Sequence, residues 1–204
     1  MGHPFTDVTL VGRYVRLEPM GLHHVDGLVA AAAEDRSTYG LTLVPDGPEA
    51  TREYVEHLVG LRERGEDVPF TTCDVATGRV VGSTSFLTLR WFFGREFPDA
   101  VEIGRTWLAG SVQRTVVNTE AKLLMLTHAF GTWDVVRVDL KTDERNARSR
   151  AAIERLGAHL DGIVRNWQPS FVPGEEGRPR NSALYSIVPE EWPAVRQRLT
   201  ERLG

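Results

Sequence analysis

The sequence has few features of a secreted or membrane-bound protein. Its 204 residues include a single cysteine, Cys73, so no disulfide can form within the chain. No apolar run approaches the length of about 18 residues that a membrane span needs, and the N-terminus lacks the apolar segment of a secretory signal. We therefore expect a cytoplasmic protein without a membrane partner.

The chain also lacks a strong excess of charge of either sign. Its net charge is −4, from 24 basic and 28 acidic residues, so the overall charge predicts no nucleic-acid or membrane partner. Arginines are frequent between residues 145 and 155, where acidic neighbours favour a solvated surface over a binding patch. This arginine-rich segment is nevertheless the one place where a local nucleic-acid contact could form.

Metal-binding and serine-hydrolase signatures are missing as well. The six histidines do not form a ligand set: His23 and His24 are adjacent, so we expect them to point in different directions, and the others are isolated. No Gly-x-Ser-x-Gly elbow occurs. The sequence predicts no metal site.

The most informative segment covers residues 101–157. Residues 101–108 alternate as a strand, and residues 118–132 form a helix with too many apolar positions for one stripe, so it is covered on most sides. Residues 135–140 form a β-branched strand. A second helix follows, with Asn146 as its N-cap and Gly157 as its stop signal.

A strand that leads through a turn to a helix N-terminus makes an anion site. The first N–H groups of a helix have no partner within it, and the helix dipole favours negative charge there. Gln113, Arg114 and Thr115 precede the long helix. The pattern indicates a ligand that bears phosphate groups.

The rest of the chain predicts further helices and strands around this segment. Strands are predicted at residues 13–18, 158–166 and 183–188, and a hairpin at 69–75 and 79–89. Helices are predicted between and after them, at residues 22–34, 48–65 and 189–203. Residues 91–99 and 167–181 are expected to be loops. The sum is one domain over residues 1–204, of the α/β class, with a mixed, mostly antiparallel sheet of six or seven strands and four or five helices.

The run QRTVVNTEA, from Gln113 to Ala121, resembles the acyl-CoA loop of the GCN5-related N-acetyltransferases (GNAT), where Gln/Arg-x-x-Gly-x-Gly/Ala precedes a helix. The chain resembles more closely the branch that acetylates the N-termini of ribosomal proteins, because Asn-Thr-Glu-Ala-Lys follows the loop. Asn146-x-x-Ser149 and Leu-Gly-Ala at 156–158 also match that branch. The likeness extends to both ends of the chain, and it implies a splayed pair of parallel strands, 101–108 and 135–140, that holds the pantetheine of the donor.

The resemblance implies a role for each candidate residue. Glu102, a carboxylate on the central strand, is the candidate base; its plainer role is an ion pair with Arg105. Ser149 is the candidate hydrogen-bond donor to the leaving group. The donor contacts implied are Leu108 and Ala109, whose backbone N–H groups could hold the oxyanion, together with Gln113, Arg114, Thr115, Val116, Val117, Asn118, Thr119 and Asn146. Trp91, Asp99 and Trp167 are candidate acceptor contacts on the loops.

Val116 departs from the family pattern, since it stands where the family has its first loop glycine. A β-branched side chain narrows the approach of a pyrophosphate. Three functions therefore stay open: an acyltransferase that uses acetyl-CoA or another acyl-CoA, the same fold with another donor such as aminoacyl-tRNA, and a non-catalytic binding module. The acceptor is a small-molecule amine or a protein N-terminus, and an exposed Trp91-Phe92-Phe93 run could form a homodimer interface.

Overall fold

The computed structural model describes residues 6–172 and 174–204. Within these residues, eight strands form one sheet in the order β1-β2-β3-β4-β5-β6-β8-β7. The strands are β1 (Leu10–Val11), β2 (Val15–Pro19), β3 (Val68–Asp74), β4 (Val80–Arg90), β5 (Ala100–Leu108), β6 (Arg137–Asp143), β7 (His159–Pro169) and β8 (Pro179–Ile187). All neighbours are antiparallel except β5 and β6. The predicted mixed, mostly antiparallel sheet with a central parallel pair is therefore confirmed.

Five α-helices cover the two faces of the sheet in the described part of the chain. They are α1 (Val25–Ala33), α2 (Gly47–Glu63), α3 (Val116–Gly131), α4 (Ala147–Leu156) and α5 (Trp192–Glu201). One core contains Met125 of α3, Ile153 of α4 and Leu199 of α5. A second core joins α1 and α2 to the other face. Burial of apolar side chains on both faces holds the layers together.

The parallel pair is short, and this opens the sheet at its centre. Only three residue pairs join β5 to β6, and the last is Glu102 with Asp139, although β5 continues to Leu108 and β6 to Asp143. We call the point where these two strands part, at Glu102 and Asp139, the fork. Beyond the fork, a space separates the two strands. The family resemblance places the donor in this space.

A bulge in β5 lies just past the fork. Ser83 of β4 pairs with Trp107 and Ser85 pairs with Gly104, so Arg105 and Thr106 together face the single residue between those serines. Arg105 has a left-handed backbone, with φ of 48°. Such a bulge bends and twists a strand, which turns β5 away from β6.

Several boundaries differ from the sequence prediction; the strand predicted at residues 135–140, for example, is β6 at Arg137–Asp143. The sheet has eight strands because Leu10–Val11 pairs with residues 16 and 17 as an additional edge strand. The predicted loop 167–181 is shorter, since Trp167–Pro169 belongs to β7 and Pro179–Asn181 to β8, paired across a long hairpin. Helix α3 begins at Val116, two residues before the predicted start. Among the described residues, no helix combines the length and the apolar character that a bilayer crossing demands.

Candidate active site

Glu102 lies at the fork and points away from α3. Its strand neighbours Val101 and Ile103 belong to the core on the α3 side, so the alternation of a strand directs Glu102 to the opposite face. The residue is 7% exposed. Its carboxylate accepts hydrogen bonds from Lys141 Nζ at 3.2 Å and from Thr88 Oγ1 at 3.4 Å. The expected pairing with Arg105 is wrong, because Arg105 binds Asp67 instead.

Lys141 connects Glu102 to a predicted acceptor contact. Its ammonium group lies 5.5 Å from the ring centroid of Trp167, within the range of a cation–π interaction. Trp167 remains 47% exposed. The structure therefore brings Glu102 and Trp167 to the same place, through a lysine that the sequence analysis did not single out.

The C-terminal end of β5 is bound by two side chains. The carbonyl oxygen of Leu108 accepts hydrogen bonds from Gln113 Nε2 at 2.8 Å and from Tyr39 Oη at 3.0 Å. Arg148 of α4 donates both to Gln113 Oε1 and to the carbonyl oxygen of Thr38. These contacts, which we call the Arg148 bridge, link α4, the loop before α3 and residues 36–39. Sequence reasoning missed Thr38, because it lies in a short irregular connection, and Arg148, because it resembles the other surface arginines of α4.

The backbone N–H of Ala109 has a partner within the fold. It donates to the carbonyl oxygen of Val81 at 2.8 Å, so it continues the pairing between β4 and β5. A buried N–H that is already bonded cannot also hold an oxyanion without breaking that bond. The expectation that Ala109 supplies the oxyanion donor is therefore wrong.

The N-terminus of α3 is capped by a threonine. Thr115 Oγ1 accepts from the backbone N–H of Val117 at 3.3 Å and donates to the carbonyl oxygen of Val112. The left-handed backbone of this loop falls on Arg114, with φ of 64°. Val116 is the first residue of the helix, so the conformation does not require glycine there. Val116 therefore replaces the family glycine without backbone strain. It differs from the family pattern only in the bulk of its side chain.

Two further candidates lie in the first turn of α3. Asn118 and Thr119 are half-buried, and the side-chain oxygen of Asn118 is buried without a hydrogen-bond partner. A buried amide oxygen without a partner is costly. A bound ligand with a donor group at this turn would satisfy it.

Asn146 and Ser149 meet at the N-terminus of α4, as predicted. Asn146 Oδ1 accepts from the backbone N–H of Ser149 at 3.0 Å, which makes it the N-cap. Residues 145–148 and residues 37–42 line a cavity of about 310 Å³. The N-terminus of α4 therefore faces a space that could admit a ligand, beside the Arg148 bridge.

Asp99 does not lie at this site. Its carboxylate is fully buried and accepts from the backbone N–H groups of Phe92 at 2.5 Å and Phe93 at 2.9 Å, and from Arg95. The residue precedes β5 at the end where β5 and β6 are still paired, opposite the open end. The expectation that Asp99 holds an acceptor amine is therefore wrong: it anchors the aromatic loop. Trp91, in the same loop, is 42% exposed.

The adjacent histidines also differ from expectation. The rings of His23 and His24 lie 3.9 Å apart, and with Glu18 they bring possible ligand atoms within 4.8 Å of one another. The backbone N–H of Gly21 donates to His24 Nδ1, so the ring proton lies on Nε2, which contacts Glu18 at 3.1 Å. Arg16 binds the same carboxylate. These hydrogen bonds engage both ring nitrogens of His24 and the carboxylate of Glu18, so a cation at this place would have to displace them.

Comparison with known proteins agrees with this geometry. Residues 15–159 match the family model described as an acetyltransferase (GNAT) domain. A GCN5-related N-acetyltransferase from Brucella melitensis is 27% identical, with 97% of this chain and 86% of that chain covered and a TM-score of 0.81. A protein from T. thermophilus, described as an acetyltransferase, is 33% identical, with 96% and 97% covered and a TM-score of 0.77. A search of curated proteins finds no match.

A more distant likeness concerns the predicted branch. The ribosomal L7/L12 alpha-N-protein acetyltransferase RimL is 21% identical, with 89% of this chain and 94% of that chain covered and a TM-score of 0.74. At that identity the likeness shows the shared fold. The matched family model covers most of the chain, so the chain belongs to the GNAT family of acetyltransferases. It is a transferase enzyme of N-acetyltransferase type, with ribosomal-protein acetyltransferases among its structural neighbours.

Proposed function

We propose that this enzyme transfers the acyl group of an acyl-CoA, such as acetyl-CoA, to an amine by direct attack. The observation that carries the proposal is the fork, where β5 leaves β6 beside the buried carboxylate of Glu102. The amine would approach from the face of Glu102 and Trp167. The acyl group would enter from the open side, between the ends of β5 and β6.

The residues at the fork suit the proton transfers that this reaction needs. An amine attacks only when neutral, and Glu102 can accept its proton. Lys141 shares that carboxylate in the absence of an acceptor, so an incoming ammonium group would compete with Lys141 for it. As the C–N bond forms and the C–S bond breaks, the amine gives up one proton to Glu102. The departing thiolate takes up one proton from solvent water, so the products are the amide and the free thiol of CoA.

The first turn of α4 suits the leaving group. Ser149 is half-buried beside the N-cap Asn146, and the positive end of the helix dipole favours a developing thiolate there. We infer that the Ser149 hydroxyl donates a hydrogen bond to the departing sulfur. Asn146 would keep that turn in place and contact the donor from the same end of α4.

The phosphate groups of the donor fit the start of α3. The N–H groups of the first turn and the exposed Arg114 can pair with them. The Arg148 bridge crosses this region, so we infer that Arg148 exchanges its contacts with Gln113 and Thr38 for contacts with the donor. The Cβ and methyl groups of Val116 would then set how closely the pyrophosphate approaches.

A titration with acetyl-CoA, followed by thiol-release assays, tests the proposal. We expect saturable binding and turnover with at least one amine in a panel that contains small polyamines, aminoglycosides and peptides with free N-termini. Peptides are the first choice of acceptor because RimL, a structural neighbour, is named as an alpha-N-protein acetyltransferase. Absence of acetyl-CoA binding at millimolar concentration would overturn the choice of donor.

A second donor, aminoacyl-tRNA, is supported by one observation, the bulky Val116 at the helix N-terminus. Other contacts favour acyl-CoA: Arg145 pairs with Asp143 and Glu175, and Arg150 donates to Tyr185. These arginines are already engaged, which leaves less positive charge for a nucleic acid. Binding of charged tRNA with a steep dependence on salt would favour this second donor.

A further inference from the structure

A buried lysine lies on the α3 side of the sheet and plays no part in the reaction described above. Lys122 is 4% exposed. Its Nζ donates to Thr106 Oγ1 at 2.7 Å and to Thr84 Oγ1 at 3.1 Å, and the two hydroxyl oxygens lie 2.8 Å apart. The three groups form a closed set of hydrogen bonds, which we call the Lys122 triangle.

The Lys122 triangle lies directly on the bulge of β5. Thr106 is one of the two bulged residues, and Thr84 is the β4 residue that they face. Both hydroxyl groups also lie 3.4 Å from the carbonyl oxygen of Gly104. The triangle therefore ties α3 to both strands at the place where β5 turns away from β6.

The bulge needs such support. Arg105 adopts a left-handed backbone that residues with a side chain rarely adopt, and strained positions persist only where their surroundings hold them. The side chain of Arg105 is held from the other face by Asp67. The Lys122 triangle holds Thr106, the next residue, from the α3 face. The two contacts therefore stabilise the bulge from both faces of the sheet.

Among the described residues, no acidic side chain forms an ion pair with the amine of Lys122. Burial lowers the pKa of Lys122 to about 7, and burial is the only cause of the shift. Arg105, next to Thr106 in the chain, binds Asp67, and Glu120, two residues before Lys122, accepts from three backbone N–H groups of residues 13–15. The amine donates to the two threonine hydroxyl groups, and Thr84 Oγ1 also lies 3.6 Å from the sulfur of Met125. An apolar side chain would fill the same place at a lower cost of burial. Packing alone therefore does not explain why a lysine occupies this position.

We propose that Lys122 is a positioning residue of the donor site: through Thr106 and Thr84 it holds the β5 bulge, and with it the gap between β5 and β6 that receives the acyl donor. The role in donor binding rests on the proposed function, in which the donor is an acyl-CoA. The effect of Lys122 on the bulge does not depend on that function. Lys122 itself need not touch the donor.

Thr106 offers a matched pair of substitutions. Thr106→Val removes the hydroxyl with little change of shape, whereas Thr106→Ser keeps it. We expect Thr106→Val and Lys122→Met each to raise the Kd for acetyl-CoA by about tenfold, the effect of one lost hydrogen bond, while Thr106→Ser stays close to the wild type. The double variant should be no weaker than either single one, because both changes break the same triangle.

Two readouts separate positioning from plain stability. Lys122→Met should raise the melting temperature, since an apolar side chain replaces a buried amine, while it weakens donor binding. Unchanged donor affinity in Lys122→Met would overturn the proposal.

Hydrogen exchange keeps the test independent of the donor. If the wild-type protein does not bind acetyl-CoA, the proposed function fails, but the backbone amides of Arg105 and Thr106 still report on the bulge. Thr106→Val should speed their exchange by about tenfold relative to Thr106→Ser. Equal exchange in the two variants would show that the triangle does not hold the bulge, and the proposal would be wrong.

Discussion

Glu102 is the side chain on which the proposed chemistry depends most directly. It is the last residue of β5 paired with β6, and a lysine and a threonine already direct its carboxylate. We expect Glu102→Gln to lower kcat by on the order of 100-fold, within the range for a lost general base, while acetyl-CoA affinity stays the same. The measurement is steady-state thiol release, with donor Kd by calorimetry.

Glu96→Gln is the matched control, because Glu96 is an exposed carboxylate in the aromatic loop. It should behave like the wild type in both assays. A Glu102→Gln enzyme that keeps its kcat would mean that water or another group takes the proton, and Glu102 would then be only a partner of Lys141.

His128 makes stability depend on pH. It packs against Phe86 and Trp133, its Nε2 is buried without a hydrogen-bond partner, and burial lowers its pKa from 6.5. The unfolded chain therefore binds a proton before the folded one does. This contribution to stability is present above pH 6.5 and is lost as the pH falls through the window below 6.5.

Replacing His128 by phenylalanine tests that dependence. His128→Phe should flatten the fall in the free energy of unfolding between pH 6.5 and 5, measured by urea denaturation at several pH values. The exposed His159 provides the control, because His159→Gln should leave the slope unchanged. A slope that survives in His128→Phe would assign the effect to other groups.

Single residues were predictable where one local rule decided their role. Asn146 precedes a helical pattern, and it caps α4 as its type and place indicate. Asp99 could not be placed in the same way, since its partners are N–H groups of its own loop. Lys122 gave no signal either, because a lysine in a helix is normally solvated and its burial depends on the strands that pack against it.

Helix α3 also fixes the first hairpin of the sheet, through Glu120. The carboxylate of this buried residue accepts from the backbone N–H groups of Arg13, Tyr14 and Val15, at 2.8, 2.6 and 2.7 Å. Glu120→Gln replaces one acceptor oxygen with an NH₂ group that faces N–H donors. We expect a loss of about 2 kcal/mol in the free energy of unfolding, typical of a hydrogen bond to a charged group.

Denaturant unfolding measures this loss, and Glu53→Gln on the exposed surface of α2 is the control. Exchange of the amides at residues 13–15 should rise in Glu120→Gln and stay unchanged in the control. Stability equal to that of the wild type would show that the hairpin does not depend on this carboxylate.

The strands and helices could be predicted from the periodicity of the sequence, but the bulge and the exact strand lengths could not. The order strand, helix, strand, helix across β5, α3, β6 and α4 is as the sequence predicts, because each has a local pattern. The bulge at Arg105 has no glycine to mark it, and only the pairing with β4 reveals it. The length of the β7–β8 hairpin was underestimated because proline and glycine residues there indicate a loop, whereas Pro169 and Pro179 pair at the end of the ladder.

At the scale of the whole molecule, the pairing of the sheet is interrupted where β5 and β6 part. The helices α3, α4 and α5 cover one face and α1 with α2 the other, so the gap between β5 and β6 lies between two packed layers. The resemblance to a known family predicted a splayed parallel pair at the centre of the sheet, and the observed pairing of β5 with β6 confirms it. The loops that surround the acceptor were not predictable, since their contacts, such as the Arg148 bridge, join residues more than thirty positions apart.

A crystal structure of the protein with acetyl-CoA tests the central claim most directly. We predict that the pantetheine chain lies between the open ends of β5 and β6, that the thioester carbonyl is near the bulge on the side of Glu102, and that the phosphate groups contact the first turn of α3. The side chain of Arg148 should no longer donate a hydrogen bond to Gln113. A donor bound elsewhere, with β5 and β6 closed upon each other and the Arg148 bridge intact, would contradict the account.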